Sequence, residues 1–204
     1  MRPPTVINSY PRAKAHLSKF RSKITCPEVR DGKHPWYSLH RPRALKIFES
    51  PKFIGLTTSK LIEVIYDAKD NLIVTDAMYV FQTKPKLDPW AVMAVLHSST
   101  VLYLYRVSNQ GEARVIPQVK ASKLGMLPFP DLTKKKALQV QLAADCKALI
   151  EAKYKSATAS LERQRDYYAQ RFAELDARIN TAVFELYDLS DEEVALVESV
   201  STTV

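Results

Sequence analysis

Residues 133–179 contain neither Gly nor Pro and are rich in Ala, Leu, Lys, Glu, Gln and Arg. These side chains lose little rotamer freedom in a helix, so a stretch of this length and composition has one sensible secondary structure. Ile150, Tyr154, Ala157, Leu161, Gln164, Tyr168, Phe172, Leu175 and Ile179 advance in steps of three or four, with a mean of about 3.6 residues. That spacing predicts one long amphipathic helix without a sustained heptad register. Its stripe suits packing against its own domain or a single partner helix; a long two-stranded coiled coil would want a period of 3.5. Ser190, with Glu193 three residues on, forms a capping box that starts one last short helix.

The first 132 residues are of another kind. Residues 8–24 predict a short basic helix with Pro11 in its first turn, and Cys26 to Pro35 reads as a polar loop. β-prone runs follow at Lys52 to Leu56, Leu61 to Tyr66 and Leu72 to Phe81, with residues 67–71 as a hairpin turn between the last two. Asp88 and Pro89 read as the N-cap and first residue of a helix from Trp90 to Tyr105. A turn at residues 108–111 leads to a further β-prone piece, Ala113 to Val119, and Leu127-Pro128-Phe129-Pro130 ends regular structure. The expected fold class is α+β. A small, mixed, β-rich domain over residues 1–132 is followed over 133–204 by the long helix and a short carboxy-terminal helix.

Charge is distributed unevenly. Residues 1–60 hold 13 Lys or Arg against 3 Asp or Glu, whereas the whole chain carries +8. Within this segment Trp36 to Arg43 reads W-Y-S-L-H-R-P-R, interleaving aromatic and imidazole groups with cations. Such a surface suits a polyanion, phosphates supplying affinity and planar groups contacting bases; it equally describes a solvated basic face over two core aromatics. Cys26 and Cys146 stand far apart without ligand spacing, so neither a disulfide framework nor a zinc site is expected. No secretion signal and no membrane-length apolar run is visible, and a cytoplasmic location is expected. Asp67, Asp70 and Asp76 fall near strand ends, where hairpin-turn chemistry accounts for them better than a metal-dependent nuclease does.

Several motifs then combine in order. Tyr10-Pro11 opening a helix, W-Y-S-L-H-R-P-R, P-K-F-I-G-L-T-T-S-K, V-T-D-A-M-Y-V-F, A-V-L-H-S-S, L-P-F-P, a long helix and the tail I-N-T-A-V-F-E-L-Y-D-L-S-D-E-E-V resemble the carboxy-terminal specificity domain of TaqI-like adenine-N6 DNA methyltransferases. The same domain type occurs in single-chain restriction-modification enzymes. One departure is Leu96-His97-Ser98, where members often carry Leu-Asn-Ser, and no role is carried over to His97. The chain also lacks the N-P-P-aromatic tetrad and the Gly-rich turn of such methyltransferases. No cofactor is therefore expected here; S-adenosylmethionine would belong to a catalytic domain elsewhere.

The resemblance implies recognition of double-stranded DNA without catalysis. Arg41 and Arg43 are candidates for bidentate guanine contacts or phosphate clamping. Lys33, Lys46, Lys52 and Lys60 are candidates for phosphate neutralisation, and Thr58 and Ser59 for hydroxyl contacts. Arg106, Asn109, Gln110 and Arg114 form a second reading loop, because carboxamides match adenine's donor and acceptor. His34 and His40 contact phosphate or cap backbone, while Trp36 and Tyr37 either pack beneath the basic loop or stack on bases. Residues 133–179 would dock the methyltransferase. Two other classes stay open: an RNA- or single-strand-binding protein, and a scaffold dominated by its long helix.

Overall fold

The computed structural model describes residues 7–38, 44–109 and 118–201. The chain divides into two compact units, residues 1–48 and 49–204.

The first unit is small and helical. A single 3₁₀ turn, Ile7–Ser9, precedes α1 (Pro11–Ser18), α2 (Pro27–Arg30) and α3 (Leu45–Phe48). Pro11 opens α1, where its missing N–H is no loss. The predicted 8–24 helix is shorter than expected, because Lys19 to Ile24 close in successive turns. The loop expected from Cys26 contains one helical turn, which ends in a Schellman motif: Lys33 N–H donates to Glu28 O at 2.8 Å and Gly32 N–H to Val29 O at 3.1 Å. Gly32 supplies the left-handed residue (φ 70°) that this ending requires.

The second unit holds the sheet, whose strands are β1 (Lys52–Leu56), β2 (Val64–Asp67) and β3 (Met78–Phe81), in the antiparallel order β2-β1-β3. β1 matches its expected bounds, but β2 and β3 are not a hairpin. They flank β1, with Phe53 facing Tyr66 on one side and Phe81 on the other. The 67–71 segment is still a turn. The Asp67 carboxylate accepts the N–H groups of Asp70 and Leu72, each at 2.8 Å, as turn chemistry predicts. The chain then crosses past β1 through exposed Leu72 and Ile73, so the third expected strand begins only at Met78.

α4 (Pro89–His97) begins as the sequence predicts, the Asp88 carboxylate accepting from Trp90 N–H at 2.8 Å. Ala91 to Leu96 are all buried, since α4 runs between the sheet and later helices. The helix does not continue to Tyr105. Ser98, in extended backbone, donates to Val95 O and accepts from Val101 N–H, closing one helix and capping the next, α5 (Ser99–Ser108). After a single turn, α6 (Ala121–Leu124), come α7 (Lys136–Thr158), α8 (Glu162–Leu186) and α9 (Asp191–Ser201).

The long helix of the sequence is thus two. The chain reverses at Ala159 to Leu161, where Arg165 Nε donates to Ala159 O and the Ser156 hydroxyl to Arg165 O. A straight helix would leave its apolar stripe in water. Folded back, Leu142, Ala143 and Cys146 of α7 share a core with Ile179, Ala182 and Val183 of α8 and with α4. The tail is tied down as well: Tyr187 donates to Pro128 O at 2.9 Å, and the Ser190–Glu193 capping box forms both of its bonds.

Candidate nucleic-acid interface

Residues 1–48 hold eleven Lys or Arg and two Asp or Glu, a net charge of +9. Residues 49–204 are consequently at −1, so the structural division is also the division of charge. Within the first unit Arg12, Lys14, Lys19, Arg21 and Lys23, along α1 and the turns after it, are exposed. No acid lies among them. The sequence shows this row as part of a short basic helix, but none of these five residues is among the expected DNA contacts.

That motif has a packed side. Trp36 and Tyr37 are half-buried and meet edge to face, 5.7 Å between centroids, and the Arg21 guanidinium lies 5.3 Å from the Trp36 ring centre. An indole held this way supports a cation at the surface. His34 is half-buried with its N–H on Glu28 O, and Lys33 is exposed, pairing with Asp31 at 3.1 Å. Such an exposed pair contributes little and leaves the amine available to a phosphate. Lys46 is exposed on α3. His40, Arg41 and Arg43 lie outside the described residues.

In the second unit the segment after β1 meets residues 118–120. Thr57, at the end of β1, accepts Val119 N–H at 2.8 Å on its carbonyl. The Tyr105 hydroxyl donates to Gln118 O and accepts Lys120 N–H, pinning the same segment to the last turn of α5. Residues 118–120 are therefore held beside Thr57, which Thr58, Ser59 and Lys60 follow, while Arg106 lies in the last turn of α5 and Asn109 just after it. Thr58 and Lys60 are exposed, and the Ser59 hydroxyl accepts Leu61 N–H. Asn109 uses its amide locally, Nδ2 donating to Tyr105 O at 2.6 Å. Gln110 and Arg114 lie outside the described residues.

Lys52 is a correction. Its side chain is fully buried and hydrogen-bonded to the Asp67 carboxylate across β1 and β2, so it cannot reach a phosphate. The ammonium is the main reason that the Asp67 carboxyl is held at about 2. Lys52 therefore clamps the sheet to the turn after β2. Among the described residues no group of three or more His, Cys, Asp or Glu is placed to hold a metal ion, and no helix is long and apolar enough to cross a membrane.

The chain thus joins a basic helical unit to a nearly neutral α+β unit. The chain belongs to the family of TaqI-like C-terminal specificity domains, whose match spans residues 15–129, more than half of its 204 residues. Domains of this family serve DNA recognition for methyltransferases and are not catalytic. No curated protein matches the chain. The family match ends at residue 129, so α7, α8 and α9 lie beyond it.

Proposed function

We propose that the chain is the sequence-reading module of an adenine-N6 DNA methyltransferase or restriction-modification enzyme, acting on duplex DNA in the cytoplasm. Methyl transfer and S-adenosylmethionine belong to a catalytic domain or subunit docked through the 133–179 segment, which forms the α7–α8 hairpin, with residues 1–132 turned to the DNA. The observation that carries this reading is the concentration of +9 in the first 48 residues of a chain belonging to a specificity-domain family.

Affinity and specificity then fall to different parts. Lys33, Lys46 and Lys60, with Arg21 and its exposed neighbours, neutralise phosphates and release counterions. Arg41 and Arg43 make bidentate contacts to guanine or clamp the backbone, and His34 and His40 add phosphate contacts. Thr58 and Ser59, with the loop containing Arg106, Asn109, Gln110 and Arg114, contact base edges. Trp36 and Tyr37 support this surface.

Selection from a randomised duplex library at two salt concentrations tests the reading. An enriched short motif, bound more weakly at higher salt, is the expected result. Preference for RNA or single strands over any duplex would overturn it.

A further inference from the structure

A cleft of about 810 Å³ opens along the free edge of β2, between α4 and the α7–α8 hairpin. Its walls are apolar, among them Ile62, Ile65, Met93, Ile150 and Phe172, and Ile65 and Ile150 stand exposed at its opening. Leu61, just before β2, and Tyr154 and Leu161 of the hairpin are exposed as well. Apolar surface of this extent on one side of a folded unit marks a binding site.

The mode of binding follows from the strand edge. Glu63 O accepts Leu56 N–H from β1, so the alternation of an antiparallel ladder turns the N–H and C=O of Val64 outward. His97 Nε2 already meets both, at 3.2 Å from the nitrogen and 2.9 Å from the oxygen. The imidazole thus occupies the position at Val64 where an incoming strand would pair. With Val64 obstructed, an occupant that enters by its side chains, as a helix does, suits the cleft better than an added strand.

Charge indicates which side chains. Glu63 and Asp176 both line the cleft, and neither has an ion-pair partner among the described residues. The lining cation, Lys153, lies over the Phe172 ring at 4.9 Å. Asp176 accepts only a long bond, 3.3 Å, from Asn180 Nδ2, and desolvation raises its pKa. The site is apolar with an uncompensated negative end.

We propose that this cleft seats an amphipathic helix of the catalytic partner, with its apolar side chains in the cleft and one Lys or Arg against Asp176 and Glu63. This rests on the reading of the chain as one part of a two-part methyltransferase. A phage-displayed library of helical peptides, selected on the immobilised full-length chain, tests it. The expected consensus has apolar residues at helical spacing and a fixed basic residue; Asp176→Asn should weaken those peptides about tenfold. Glu63→Lys, at an exposed position, should shift the fixed residue from basic to acidic. Peptides without a basic preference, or peptides that bind equally when Ile150→Arg blocks the opening, would overturn the proposal. Duplex selection on the same preparations separates the two readings. A DNA motif without basic helical peptides removes only the cleft assignment, and basic helical peptides without duplex preference remove only the DNA reading.

Discussion

The ring of Tyr79 on β3 lies against the backbone of Gly55 on β1, where any other residue would place its Cβ. The contact lets an aromatic side chain lie flat on the central strand beside Phe81 and keeps this face of the sheet close to α4. Gly55→Ala should destabilise the protein by about 1–3 kcal/mol through overpacking, read as a lower urea midpoint. The Tyr79 hydroxyl is buried without a partner among the described residues. Tyr79→Phe should therefore be neutral or stabilising in the same assay.

Removing the ammonium of Lys52 leaves the Asp67 carboxylate buried without its counterion. Lys52→Met should lower stability by about 3 kcal/mol, and DNA affinity of the remaining folded fraction should be unchanged. The pair also sets an acid limit. Asp67 titrates at about 2 when folded and near 3.8 otherwise, so its contribution is complete above that ordinary value and is lost as pH falls toward 2. Acid unfolding of Lys52→Met should lack this component.

His97 has a pKa lowered by desolvation, against opposing effects of its bond to Val64 and of the Asp176 and Glu63 carboxylates. A folded-state pKa below the unfolded value means that the unfolded chain binds the proton first. The contribution of His97 is complete above about pH 6.5 and declines as pH falls below it. His97→Gln places an amide near the position of Nε2, able to donate to Val64 O and accept from Val64 N–H together. The variant should match the parent at neutral pH and lose part of its decline at pH 5.5, measured by urea unfolding.

Truncation after Leu132 should not yield a folded DNA-binding fragment. Leu142, Cys146, Ile179 and Val183 belong to the core that buries α4. The truncated chain should show lost near-ultraviolet dichroism and aggregation; a cooperative thermal transition would contradict this packing argument.

Salt dependence separates grip from reading. Arg21→Ala and Lys33→Ala should each flatten the slope of log affinity against log salt by about one and leave the selected motif intact. Thr58→Val, at an exposed loop position, should relax the motif and leave the slope unchanged. A changed motif in the cation variants would count against the division of roles.

Signals carried by a few consecutive residues were legible in the sequence. The bounds of β1, the Asp88–Pro89 helix start, the Ser190–Glu193 capping box and the turn chemistry of Asp67 each depend on neighbours within about five positions, so local hydrogen bonding and dihedral preference decide them. The concentration of cations in the first 60 residues was legible too, because charge adds without regard to fold. Tertiary structure decided what depends on distant partners. Strand propensity could not tell β2 to pair with β1 rather than β3, since Phe53 gains aromatic neighbours on both sides only in that order. A run without Gly or Pro gave no sign of reversal at Ala159 to Leu161, where the burial gained by returning onto α4 outweighs helix continuity. Lys52 read as a phosphate ligand because its partner, Asp67, lies fifteen residues away and comes into reach only across the β1–β2 ladder. Local chemistry determined which elements form, and the burial of surfaces far apart in the chain determined how they meet.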